Sequence, residues 1–368
     1  MRERNGGLDA LRNLSMMMVV LLHVLLHGGA LRGADFAALS ASTAVLWVLE
    51  MGAVCAVNCF GMLSGYFGVR SRVKAASVLS LWLEVVFYAV GIYAAWALLR
   101  MNPSKAAGWT QGLTPITGNM YWYYTAYAGL YLLMPALNQL LLSAKREKLR
   151  KGLILLLAAV FVERLCFDSD VLMLSGGCST LWLAVLYALG GYFRLYGETS
   201  RGYRWLQRHG LAVYGALSAA AGLYWWARMS GKFPVLGGSL RWAQITAYNS
   251  VHAVCNAVCL FAVFSAWQPG GWVRRVSTFC APAAFAVYLI HTHPVCWNEL
   301  LLDRMAAYSR YPVPGMLLRI AAAVLGIFAV CVIVERIRMK AFALLRIDAA
   351  CRALGERAER AIGRILGE

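Results

Sequence analysis

Residues 8–31 read LDALRNLSMMMVVLLHVLLHGGAL. From Asn13 to Leu31 there is no Asp, Glu, Lys or Arg. The apolar residues run on without the alternation that a half-buried strand shows. A helix needs roughly 20 such residues to cross about 30 Å of hydrocarbon. It satisfies its own backbone polar groups on the way, as a chain in lipid must. The stretch therefore reads as a membrane span, at 13–31. Similar blocks follow at 43–67, 75–99, 120–143, 152–168, 178–196, 209–228, 246–267, 276–299 and 315–335. The predicted fold is an all-α polytopic transmembrane bundle of about ten spans. Continuous apolar runs exclude a β-barrel, whose strands alternate.

Composition agrees. The chain is 61% hydrophobic and only 14% charged, with a mean hydropathy of +0.60. A soluble domain carries about a quarter charged residues. The net charge of +18 does not point to nucleic acid, because the basic residues sit in short clusters between apolar blocks. The heavier clusters, at 70–74, 145–151, 194–208 and 336–364, all fall in segments on the N-terminal side of the membrane. By the positive-inside rule that side is cytoplasmic and carries both termini. The expected location is the cytoplasmic (inner) membrane, multi-pass and in contact with lipid. Most of the ten cysteines lie within apolar blocks as small packing residues, with no CxxC pair and no metal implied. The first span lacks a small-residue cleavage site, so no signal peptide is expected. Two regions are expected: a transmembrane domain over 1–335 and a basic tail over 336–368. In the tail Leu345, Cys351, Leu354, Ala358, Ala361 and Ile365 recur at helical spacing among Arg352, Arg357, Arg360 and Arg364. That pattern suits an amphipathic helix on the inner membrane surface.

The first span also carries ionisable groups. His23 follows Arg12 by eleven residues, which brings it within about 20° of the same helix face and roughly 16 Å further along the axis. Arg12 falls near the cytoplasmic edge and His23 near mid-membrane, with His27 one turn beyond. Such groups are costly against lipid and should face a wet interior. An imidazole suits a general base near neutral pH, and an arginine suits a phosphate. The bland alternative is an inter-helical histidine beside a snorkelling arginine.

The run LDALRNLSMMMVVLLH resembles the opening of the membrane acyltransferase 3 family, whose hallmark is an Arg, ten residues, then a His. Asp9, Arg12 and His23 occupy those positions. In order along the chain, CFGMLSGYFGVR (59–70), NMYWYYTAYAGLYLLMPALN (119–138), LYALGGYFRLY (186–196) and APAAFAVYLIHTHPV (281–295) resemble later segments of that family. The resemblance implies O-acylation, usually O-acetylation, of surface polysaccharides and related glycans. The donor would be cytoplasmic acyl-CoA, with acetyl-CoA the default and no permanently bound cofactor. The acceptor would be a surface glycan or lipid-linked saccharide. His23 and Arg12 would be catalytic, Arg12 also holding the phosphates of CoA.

Other candidates carry two readings each. Ser64, Gly65 and Tyr66 serve either close helix packing or, by the resemblance, the donor entrance. Arg70, Arg72 and Lys74 are a topology signal or a clamp for phosphates. Trp122, Tyr123 and Tyr124 form an interfacial aromatic belt or stack on acceptor sugars. Tyr288, His291 and His293 position an acceptor hydroxyl or are polar residues at a helix end. A carboxylate among Glu50, Glu84 and Glu163 is expected to orient His23, and Arg319 needs a partner. The rival function, a transporter or flippase of lipid-linked glycans, predicts inverted repeats and paired broken spans, which the sequence does not display.

Overall fold

The first helix, α1 (Gly6–Leu25), begins before the hydropathy rises. The computed structural model describes residues 5–99, 112–167, 170–233 and 246–366. Asn5 caps α1, its side chain accepting the Leu8 N–H at 3.0 Å, and Asp9 in the first turn complements the positive end of the helix dipole. Asp9 and Arg12 thus lie inside the helix, not ahead of it. The helix stops short of the expected residue 31. A pair of glycines follows its last turn, and Gly29 adopts a φ of 88° that other residues avoid. Turns then run to Ser40, whose side chain caps α2 (Ala41–Ala53).

Where one span was predicted at 43–67, α2 gives way at Val54–Cys55 to α3 (Ala56–Gly68). Further helices are α4 (Ala75–Leu98), α5 (Trp122–Ser143), α6 (Arg146–Cys166), α7 (Thr180–Tyr196), α8 (Arg201–Met229), α9 (Val251–Ala266), α10 (Gly271–Cys280) and α11 (Ala284–His291). A π-helical turn, Cys296–Leu301, leads to α12 (Val313–Leu344) and α13 (Ile347–Leu366). The described residues contain no strand.

Six stretches are long and apolar enough to cross a membrane: Gly6–Leu25, Ala41–Gly68, Ala75–Leu98, Trp122–Ser143, Gly271–His291 and Val313–Leu344. The other four expected spans fall on α6, α7, α8 and α9, of which α9 is apolar but shorter. The end of one expected span at residue 168, and the basic residues Arg2, Arg4, Arg100, Lys105 and Arg241 that entered the charge pattern, lie outside the described residues. Large apolar side chains remain exposed along α12, such as Leu318 at 70% and Ile337 at 64%. That suits a lipid-facing surface better than water.

Helix α1 sits at the centre, packed by α2, α3, α9, α10, α11 and α12. Helices α3 and α7 approach each other closely, backbone against backbone. A Cβ on Gly65 would stand 1.9 Å from the Tyr187 carbonyl oxygen, and one on Gly190 would stand 1.9 Å from that of Met62. Only glycine allows these backbones to touch. The carboxylates Glu84 and Glu335 gather on Arg338, at 3.7 and 2.6 Å, and the Tyr88 hydroxyl donates to Glu335 at 2.6 Å. Arg319 stacks on the Tyr311 ring and donates to the Gly315 carbonyl at 3.1 Å. The tail helix α13 lays one face on α4, with Cys351 only 2% exposed.

Candidate active site

One face of α1 lines a cavity of about 510 Å³, within the usual range for small-molecule sites. Arg12, Met16, Val19 and His23 follow one another along it, as the helical spacing requires. Ser71, Arg72 and Lys74 line the same cavity and are themselves exposed, so it opens at this basic end of the bundle. Towards His23 the walls become aromatic, with Tyr123, Tyr248, Tyr288 and Phe285.

At the basic end Arg12 is 30% exposed, 3.6 Å from the Asp9 carboxylate, and lies over the Phe67 ring at 5.6 Å. The loop after α3 is held from α5. The Asn138 amide donates to the carbonyls of Gly68 and Ser71, both at 3.1 Å, and accepts from the buried Tyr187 hydroxyl at 2.7 Å. The loop that presents Ser71 and Arg72 is thereby fixed to the α3–α7 crossing.

His23 Nδ1 lies 2.8 Å from Nε2 of His291, which is only 5% exposed. His291 Nδ1 in turn meets the carbonyl oxygen of Val287. A carbonyl only accepts, so His291 carries its proton on Nδ1 and its Nε2 is an acceptor. His23 must then donate from Nδ1. In the neutral pair this leaves the lone pair on Nε2 of His23, the atom that a general base or nucleophile uses. This tautomer follows from the hydrogen-bond network. The Trp297 ring, in the π-helical turn, meets His23 edge-on at 4.8 Å and stacks flat on His27 at 3.9 Å. His27 bonds the Trp297 carbonyl at 2.9 Å.

The structure sorts the residues singled out in the sequence. Arg12, Ser64, Arg72, Lys74, Trp122, Tyr123, His23 and Tyr288 all line the cavity, and His291 stands directly behind His23. The Ser64 hydroxyl donates to the Phe60 carbonyl within its own helix at 3.0 Å. Tyr66 turns away from the cavity to accept from Arg194 at 3.1 Å, and Arg70 is exposed off the cavity wall. Tyr124 is buried against Phe285 instead of facing the space. His293 is fully buried, bonded to the Ala89 carbonyl at 3.1 Å. The side chain bonded to Nδ1 of His23 is His291, in place of the expected carboxylate. Glu84 belongs to the Arg338 cluster, and Glu163 accepts the Leu172 N–H at 2.7 Å. Glu50 is buried in α2.

Among the cavity residues that the sequence reading did not single out are the aromatic Phe60, Tyr127, Tyr131 and Tyr248. Two of them had a signal. Tyr123, Tyr127 and Tyr131 recur every four residues, one face of a helix. Tyr248 stacks on Trp122 at 5.9 Å from a turn before α9, a pairing no local pattern announces. Among the described residues no cluster of His, Cys, Asp or Glu is placed to hold a metal.

Comparison with known proteins adds one positive finding. No curated protein and no solved structure matches the chain. A family model for an acyltransferase domain, acyltransferase 3, matches residues 5–336, which contain the cavity, Arg12 and the histidine pair, so the chain belongs to that acyltransferase family.

Proposed function

We propose that the protein moves an acyl group, acetyl by default, from cytoplasmic acyl-CoA to a hydroxyl of a surface glycan, with His23 as the base. The observation that carries this reading is the single cavity that joins a basic mouth to an imidazole whose Nε2 lone pair is fixed by His291. The basic mouth belongs to the cytoplasmic side by the positive-inside rule. It offers Arg12, Arg72 and Lys74 to the phosphates of CoA. The pantetheine arm would extend along Met16 and Val19 to bring the thioester to His23. The acceptor sugar would arrive from the opposite end, against Trp122, Tyr123, Tyr248 and Tyr288, whose rings suit stacking on sugar faces.

In the transfer, Nε2 of His23 takes the proton from the acceptor hydroxyl as its oxygen attacks the thioester carbonyl. The C–O bond forms, the C–S bond breaks, and the proton passes to the departing thiolate to give free CoA. His291 keeps Nδ1 of His23 occupied, so the proton has one place to go. A relay through acyl-imidazole uses the same lone pair as a nucleophile. The direct route requires donor and acceptor within about 3.5 Å of each other at His23.

The test is turnover of labelled acetyl-CoA by the protein in lipid nanodiscs with a panel of glycans. His23→Ala should lose about a hundredfold or more in kcat. Full transfer by that variant would reject His23 as the base, and normal glycan acylation in cells lacking the protein would reject the reaction.

A further inference from the structure

The matched family region ends at residue 336, yet the chain continues into α13, and that helix packs on α4, whose start borders the cavity. The first turn of α4 leaves backbone N–H groups without partners inside the helix, and Lys74, at its N-cap, supplies no side-chain bond. The Ala75 N–H is taken instead by the Glu359 carboxylate, at 2.7 Å, from 284 residues further along the chain. One turn back on α13, a Cβ on Gly355 would stand 2.4 Å from the Ala76 nitrogen, so the two backbones are in direct contact. Cys351, a further turn back, is buried. Residues 351, 355 and 359 thus form one face of α13, set on the start of α4. The residues they hold, Ala75 and Ala76, sit between Lys74 and Ser77, both of which line the cavity.

We infer that Glu359 is a positioning residue for the donor site: it caps α4 from the tail helix and so fixes Lys74 and Ser77 at the mouth where the acyl-CoA phosphates bind. This rests on the acyl-CoA reading given above. A carboxylate at a helix N-terminus is also attracted to the positive end of the dipole there, which ties the tail to α4. The contact lies at the mouth and away from His23, so it bears on donor binding and leaves the chemical step alone.

The experiment uses the full chain in nanodiscs, as Glu359→Ala and Glu359→Gln. Glu359→Ala should speed hydrogen exchange of the amides in residues 75–78. It should also raise the KM for acetyl-CoA about fivefold, the factor typical of a lost helix cap, with kcat and the acceptor KM unchanged. Glu359→Gln, which keeps the acceptor oxygen, should restore both the protection and the KM. An active Glu359→Ala enzyme with unchanged donor KM, or with unchanged exchange at 75–78, overturns the positioning role alone. A wild-type protein that never consumes acyl-CoA overturns the reading beneath it, and the donor role of Glu359 with it.

Discussion

At the scale of single residues, the proposed chemistry turns on which nitrogen of His23 is free. The chain from Val287 through His291 to His23 settles this with hydrogen bonds alone. Removing His291 would free the ring to turn over and to protonate Nε2, which leaves that atom without the lone pair the proposed transfer needs. His291→Ala should therefore lower kcat by about a hundredfold or more, towards the roughly ten-thousandfold loss seen when a histidine base is held in the wrong tautomer. His291→Gln can still accept from Nδ1 through its amide oxygen and should stay within about tenfold of wild type. Thioester-cleavage rates on both variants check this, and equal losses would show that His291 only fills space. The sequence showed His23 and His291 as individuals, because an ionisable group in an apolar run stands out. It could not show them as a pair. They are 268 residues apart, and helical periodicity reports a face without naming what the face meets.

Among the elements, the α3–α7 crossing is what holds the loop after α3 in place. The glycines that make it were visible in SGYFG and LGGYF, but a glycine in a helix can equally be a weak point with open space around it. Geometry separates the two cases. Gly190→Ala would drive a Cβ into the Met62 carbonyl and cost about 1–3 kcal/mol. Gly215→Ala in α8 meets nothing within 4 Å and should be neutral or slightly stabilising, through its better helix propensity. Thermal unfolding in one detergent checks the contrast, with Gly190→Ala expected to melt about 5 °C lower. Element ends were the least legible part. The capping side chain of Asn5 starts α1 while the sequence is still polar, and the break at Val54–Cys55 has no proline, only Gly52 in the turn before it, whose carbonyl accepts from Cys55 and Tyr214. Hydropathy measures affinity for lipid, and neither event changes it.

For the whole molecule, the acyl-CoA reading demands one orientation. CoA thioesters are cytoplasmic, so the mouth with Arg72 and Lys74 must face the cytosol, and the turns beyond His27 must face outward. The bundle supplies a marker for each end. Lys148, early in α6, is exposed at the basic end, and Arg310 is exposed on the far side, in the turn that binds back to Gly33 through Ser309. The exposed native cysteines Cys166 and Cys178 are first replaced by serine, to leave a quiet background. In that background a membrane-impermeant maleimide should label Arg310→Cys in intact cells, and Lys148→Cys only after permeabilisation. Neither position touches the cavity, so transfer activity should survive both changes and report that the labelled protein is folded. The opposite labelling pattern would place the basic mouth outside the cell, where no acyl-CoA is present to enter it. The phosphate-binding role of Arg12 would then fail however well His23 is arranged as a base.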